Sequence, residues 1–326
     1  MIAAPEFGDA EELLRQYSPS QWSKRIFASS DAVVMDHVNT LQGGSKAVLD
    51  EAIRKQGGKE DGSAVTLNVV HTSSDGATDE ASLDIFYPLK KPERSNTSEG
   101  AERYPVVIYI HGGYWQALDK KSSCWHAKTF TENGIGFVAI GYDLCPSISF
   151  KDLNVQVNNG IAKVVQQFPD HPIYICGHSA GGHLAAMALC VDWKKDFAIE
   201  KPFVHGFVPV SGCFDLRLLI KTKENDALKV DESGAIQFSP VLKPISSTAV
   251  VSGAKGIIAF GQNESDEFKR ISKNYFTWLK GTGSENVELG NIEILELVNE
   301  DHFTVIERLQ QKEYELAVKM LSLILS

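Results

Sequence analysis

Ile173-Tyr174-Ile175-Cys176-Gly177-His178-Ser179-Ala180-Gly181-Gly182-His183-Leu184-Ala185-Ala186-Met187-Ala188-Leu189 is the stretch that decides the fold. A short apolar run reads as a buried strand, a Gly-x-Ser-x-Gly turn follows, and a run of small helix formers can pack closely back on the strand. Strand, tight turn and helix in that order make the repeating unit of a parallel sheet. The flanking glycines let the backbone turn sharply without a Cβ in the way, which lifts Ser179 to an exposed tip. An incidental Gly-Ser turn would look the same in isolation, so the rest of the chain has to supply the partners that make a serine hydroxyl reactive.

On both sides of this unit, short β-rich runs alternate with amphipathic helical stretches. Val106–Ile110, Gly136–Ile140 and Ile173–Cys176 are almost continuously apolar, as central parallel strands covered on both faces are. Gly206–Val210, Gly256–Phe260 and Ile292–Val298 are further strands. Val65–Val70 and Ala81–Tyr87, joined through Asp75-Gly76, read as an antiparallel edge hairpin, which brings the sheet to eight strands. Lys91–Arg103 reads as a polar surface loop and Val305–Leu325 as a closing helix. Asp9 to about Lys55 reads as helical, with Tyr17-Ser18-Pro19-Ser20-Gln21-Trp22 turning into a helix capped by Ser20. The expectation is a single α/β domain over residues 1–326: a mostly parallel eight-stranded sheet with helices on both faces, a helical extension over 1–60 packed on it, and a charged insertion over 216–239 that covers a pocket.

Acyl transfer needs donors for the oxyanion that forms when a carbonyl is attacked. His111-Gly112-Gly113-Tyr114-Trp115 directly follows the strand Val106–Ile110, so the N–H groups of Gly112, Gly113 and Ala180 are the candidates. A base should come from the loop after the last strand, where His302 stands in Asn299-Glu300-Asp301-His302-Phe303. The acid that orients it should follow the penultimate strand, and Gly261-Gln262-Asn263-Glu264-Ser265-Asp266 offers Glu264, with Asp266 as the alternative. His111 precedes the serine, out of the Ser–acid–His order, and is read as bracing its loop.

Forty-two acidic against thirty-two basic residues give a net charge of −10, which disfavours nucleic acid and anionic membrane surfaces as partners. No apolar run approaches the ~20 residues that span a bilayer. Met1–Leu14 carries four acidic residues, no basic one and no apolar core of a signal, so a cytoplasmic location is expected, with the nucleus as the other compartment open to it. Five cysteines without a C-x-x-C pair fit buried thiols better than disulfides, a zinc site or a cysteine nucleophile.

The His111–Trp115 loop, together with Tyr17–Trp22, Asp84–Pro88, Gly141–Pro146, Gly177–Leu184, Ser211–Leu216 and His302-Phe303, resembles the kynurenine formamidase (arylformamidase) family of α/β-hydrolases along nearly the whole chain. The resemblance implies the α/β-hydrolase fold and hydrolysis of the formamide of N-formyl-L-kynurenine to L-kynurenine and formate, with no metal and no organic cofactor. Ser179 and His302 fall on the family's serine and histidine. Its usual D-S-P-E-F stands here as Glu264-Ser265-Asp266-Glu267-Phe268, so the acid departs from the pattern. Tyr114 and Trp115 would stack on the substrate's aryl ring, the other reading of Trp115 being that it packs under the loop. A broad carboxylesterase or arylesterase is the rival reading, and a catalytically inactive binding protein a more distant one. Whether the chain works as a monomer or a homodimer is left open.

Overall fold

The computed structural model describes residues 8–57, 65–71, 78–89 and 103–326. The Asp75-Gly76 turn, nearly all of the Lys91–Arg103 loop and both ends of the 1–60 extension lie outside the described residues.

Eight strands form one sheet: β1 (Val65–Val70), β2 (Ser82–Phe86), β3 (Val106–Ile110), β4 (Gly136–Ile140), β5 (Ile173–His178), β6 (Val204–Val210), β7 (Val250–Gly261) and β8 (Leu289–Leu297). Their spatial order is β1-β2-β4-β3-β5-β6-β7-β8. β2 runs antiparallel to both neighbours, and β3 to β8 are parallel throughout. The helices are α1 (Ala10–Gln16), α2 (Ser30–Gly57), α3 (Ala127–Thr131), α4 (Phe150–Gln167), α5 (Ala180–Ala188), α6 (Trp193–Phe197), α7 (Asn225–Leu228), α8 (Glu232–Gln237), α9 (Asp266–Lys280), α10 (Thr304–Glu307) and α11 (Glu315–Leu325).

The near-continuous apolarity of the central strands has a direct cause in two cores, one per face. Val106, Ile108 and Ile110 of β3 belong to one core, which also holds Leu153, Val157 and Ile161 of α4, Leu184 of α5 and Phe268 and Ile271 of α9. Val107 and Tyr109 belong to the other, which also holds Leu41 of α2, Phe130 of α3 and Met320 of α11. A strand whose successive side chains are all buried cannot show a two-residue alternation.

Two expectations about helices need correction. Ser20 caps no helix: Pro19–Gln21 is a single 3-10 turn, and helix α2 starts only at Ser30. Between them Trp22 ties back through Nε1 to Arg15 O (3.0 Å), and Ser23 and Arg25 reach residues near the C-terminus instead of making a helix. The closing helix Val305–Leu325 is also broken. α10 gives way to a 3-10 turn at Arg308–Gln310, Gln311 is extended, and α11 begins at Glu315. Tyr314 holds the break by donating its hydroxyl to Val305 O (3.0 Å) under the Arg308 guanidinium. Among the described residues, no helix is long and apolar enough to cross a membrane.

Candidate active site

Ser179 stands between β5 and α5 with φ 55° and ψ −117°, a positive-φ conformation that costs about 1–3 kcal/mol and persists only where its surroundings enforce it. The Ser179 N–H donates to Val210 O of β6 (2.9 Å), and its own carbonyl accepts the first helical bond from His183 N (3.0 Å). Gly181 explains why the turn takes no side chain there: a Cβ would lie 1.9 Å from Ile110 O. Ala180 opens helix α5, so its N–H has no partner one turn back and lies at the positive end of the helix dipole.

The loop after β3 lies directly against this turn. A Cβ on Gly112 would sit 3.2 Å from Ser179 Cβ and 2.9 Å from His178 O. Gly113 has φ +96°, and a Cβ would strike Ala117 O at 2.2 Å. Both glycines are therefore dictated by close backbone approach, and the loop edge faces the serine. His111 braces it. The ring stacks on Tyr142 (4.1 Å, 6° between planes), Nδ1 donates to Gly112 O (2.9 Å), and burial depresses the imidazole to about 4, so it stays neutral.

Ser179 Oγ lies 3.0 Å from His302 Nε2. Nδ1 of the same ring lies 2.9 Å from Glu264 Oε2. The other carboxylate oxygen, Oε1, accepts from Gly261 N (2.7 Å) and from Ser211 Oγ (2.5 Å). All three side chains are at most 4% exposed. With Nδ1–H directed at a carboxylate, the Nε2 lone pair faces the serine hydroxyl, the tautomer a general base requires. The structure thus brings Ser179, His302 and Glu264 together and leaves Asp266 out. Ser265 caps α9 by accepting from Phe268 N, so Asp266 becomes its first residue and points outward, 80% exposed and paired with Lys269 (3.1 Å). Glu264, two residues earlier, turns back into the site.

Of the two readings of Trp115, the structure favours packing under the loop. The residue is 0% exposed and wedged edge-on between Phe150 and His183 (5.1 Å to each), so its ring supports the loop from beneath and offers no face to a substrate. The neighbouring Tyr114 is only partly covered and donates its hydroxyl to Tyr17 O (2.8 Å), which fastens the loop to the end of α1.

Sequence reasoning missed Ser211 and His178. Ser211 follows the C-terminal end of β6, the edge of a parallel sheet where sites assemble, and that position was the available signal. His178 sits beside the serine but turns away from it, donating from Nε2 to His302 O (2.8 Å). Burial drives its pKa well below the ordinary histidine value, so it acts as a neutral strut. Among the described residues, no cluster of three His, Cys, Asp or Glu side chains is arranged to hold a metal ion.

Comparison with known proteins finds relatives along nearly the whole chain. Residues 83–253, more than half of the chain, match the family described as BD-FAE. The chain is 34% identical to a kynurenine formamidase of Salmo salar and 33% identical to one of Danio rerio, in each case over 96% of both chains. Among solved structures, a thioesterase candidate from a Silicibacter species superimposes with a TM-score of 0.72 at 23% identity, covering 97% of this chain and 99% of that one. At that identity the likeness speaks for the fold alone.

Proposed function

The chain belongs to the kynurenine formamidase family of α/β-hydrolases, and from that premise we infer that it hydrolyses the formamide of N-formyl-L-kynurenine to L-kynurenine and formate, a step of tryptophan catabolism. The observation that carries the reading is the unbroken relay from Glu264 through His302 to Ser179 beside the Gly112-Gly113 loop, in a chain related to formamidases almost end to end.

In this mechanism Ser179 Oγ attacks the formyl carbon while His302 Nε2 takes the hydroxyl proton. The carbonyl oxygen becomes an oxyanion held by the N–H groups of Gly112, Gly113 and Ala180. Glu264 stabilises the imidazolium, and its second oxygen stays tied to Ser211 and Gly261 so that it cannot swing away. Collapse of the intermediate breaks the C–N bond. His302 hands its proton to the departing aryl amine, leaving a formyl ester on Ser179. A water deprotonated by His302 then attacks that ester and releases formate, and the proton returns to Ser179 Oγ.

The same proposal extends to the architecture around the site. Residues 1–326 act as one domain with a helical extension over 1–60, and the insertion 216–239 covers the substrate pocket. Two contacts support that role for the insertion: Leu216 N donates to Ser239 Oγ (2.8 Å) and pins its ends together, and Gln116 Nε2 donates to Glu224 O (2.9 Å) and joins it to the His111–Trp115 loop. Tyr114, at the edge of that loop, is the aromatic surface for the substrate's ring. All five cysteines are free, which favours a reducing compartment such as the cytoplasm.

The deciding assay compares N-formyl-L-kynurenine with p-nitrophenyl acetate. A much higher kcat/KM for the formamide is expected, and the reverse order would make the protein a general esterase. Ser179→Ala should lower kcat by about 10⁴- to 10⁶-fold with the circular dichroism spectrum unchanged. An active mutant would remove Ser179 from the mechanism.

A further inference from the structure

The His302 loop is held from outside the sheet by a segment that contributes nothing to the relay itself. Glu307, on α10 at the end of the short segment that leaves the histidine, receives Arg25 Nη2 on Oε2 (2.5 Å) and His37 Nδ1 on Oε1 (2.6 Å). Both ligands come from the N-terminal region, Arg25 from the extended stretch before α2 and His37 from α2 itself. Arg25 is further anchored to Asp36 (2.6 Å). Ser23 Oγ donates to Asp301 Oδ2 (2.5 Å), and the other oxygen of Asp301 accepts from Phe303 N and Thr304 N, the amides that follow the histidine. The His37 ring lies 4.8 Å from Phe303 and 6.2 Å from His178, the strut that holds the His302 carbonyl.

This arrangement is costly for mere packing. Arg25, His37 and Glu307 expose only 13%, 6% and 11% of their side chains, and burying a charged pair that well-packed apolar residues could replace seldom gains stability. Its geometric result is definite: residues 301, 303, 304 and 307 are fixed on both sides of residue 302. His302 is held by its carbonyl, by its Nδ1 and by both chain neighbours, and the extension supplies one of those restraints.

We propose that Ser23, Arg25 and His37 are positioning residues for catalysis, forming a clamp on Asp301 and Glu307 that sets the His302 imidazole at hydrogen-bonding distance from Ser179. The proposal rests on the reading of Ser179 and His302 as nucleophile and base. It makes the N-terminal extension part of the catalytic apparatus and not only a cover over one face of the sheet.

The test uses the full chain with five substitutions: Arg25→Met, Arg25→Lys, His37→Ala, His37→Asn and Leu41→Ala. Leu41 lies one turn beyond His37 on the same buried face of α2 and, being apolar, makes none of the hydrogen bonds or ion pairs of the clamp, so its truncation reports general loosening of the helix. Three quantities are measured on each: kcat and KM with N-formyl-L-kynurenine, the rate of Ser179 labelling by a fluorophosphonate, and Tm. Arg25→Met and His37→Ala are expected to lower kcat and the labelling rate together by about ten- to a hundredfold, with KM within about twofold, because a misplaced base is lost without loss of binding. Arg25→Lys and His37→Asn each keep one donor toward Glu307 and should recover part of the rate. Leu41→Ala should lower Tm while kcat stays near wild type.

The clamp is refuted if Arg25→Met and His37→Ala label and turn over like wild type, or if Leu41→Ala loses as much activity as they do. Should Arg25→Met fail to fold, His37→Ala decides, since it keeps the Arg25–Glu307 pair. Labelling separates this proposal from the substrate assignment. A wild type that labels rapidly but leaves N-formyl-L-kynurenine intact overturns the formamidase reading, and the labelling rates of the variants still decide the clamp.

Discussion

Glu264 shows how one side chain is made to serve by its hydrogen bonds. An unanchored carboxylate beside an imidazole could rotate, but Oε1 is occupied by a hydroxyl and an amide, so only Oε2 is left for Nδ1 of His302. Glu264→Gln should lower kcat by about 10⁴-fold, because an amide nitrogen facing Nδ1 favours the wrong tautomer. Asp266→Asn should stay within about twofold of wild type, since that side chain is surface-exposed and a lost surface ion pair is worth little. Steady-state kinetics of the two variants measure both, and equal losses would contradict the geometry. The sequence shows both acids in the right loop but not which one turns inward. That choice depends on where helix α9 starts, and the cap at Ser265 fixes it.

Among the elements, α2 tests how far helix chemistry can be separated from packing. Gly43 lies on its exposed side, and a methyl group there would meet nothing within 4 Å, whereas at the adjacent Gly44 the same methyl would stand 2.8 Å from Trp125 Cβ. Gly43→Ala should stabilise the protein by about 0.5–1 kcal/mol through reduced backbone entropy of the unfolded chain. Gly44→Ala should lower Tm instead, because the helix must lift off Trp125. A thermal melt of each decides. The elements the sequence displays best are those buried throughout or nearly so, β3, β4 and, but for Tyr174, β5. It misleads where a local signal is overridden by distant partners: Ser20 looks like a cap, yet the following residues are drawn out straight by Asp301 and Glu307. Ser211 and His178 were equally hidden, as their partners lie 53 and 124 residues away.

For the molecule as a whole, the buried histidines set its response to acid. His111, His126 and His183 have folded values of about 4, about 3 and about 4, each lowered from 6.5 chiefly by burial. The unfolded chain therefore takes up these protons first. Their contribution is fully present above pH 6.5 and is lost as pH falls toward 4, at about 1.4 kcal/mol per pH unit for each histidine. Urea midpoints measured across that window should fall steeply. Among the described residues His126 finds no hydrogen-bond partner for either ring nitrogen, and it is enclosed by Tyr109, Trp125, Phe130 and Phe137. His126→Phe should flatten the slope by roughly a third of the three-histidine total, and an unchanged slope would show that this ring is protonated in the folded state.

The strap from Ser23 to His37 has one more consequence. It joins residues 270 or more positions apart, His37 to Glu307 and Ser23 to Asp301, while the serine it serves lies near the middle of the chain. On the clamp reading, a protease that nicked the extended stretch around residues 22–29 would leave the sheet and its two cores standing and still disarm the enzyme, so the segment least involved in chemistry is the place where its activity is most simply switched off.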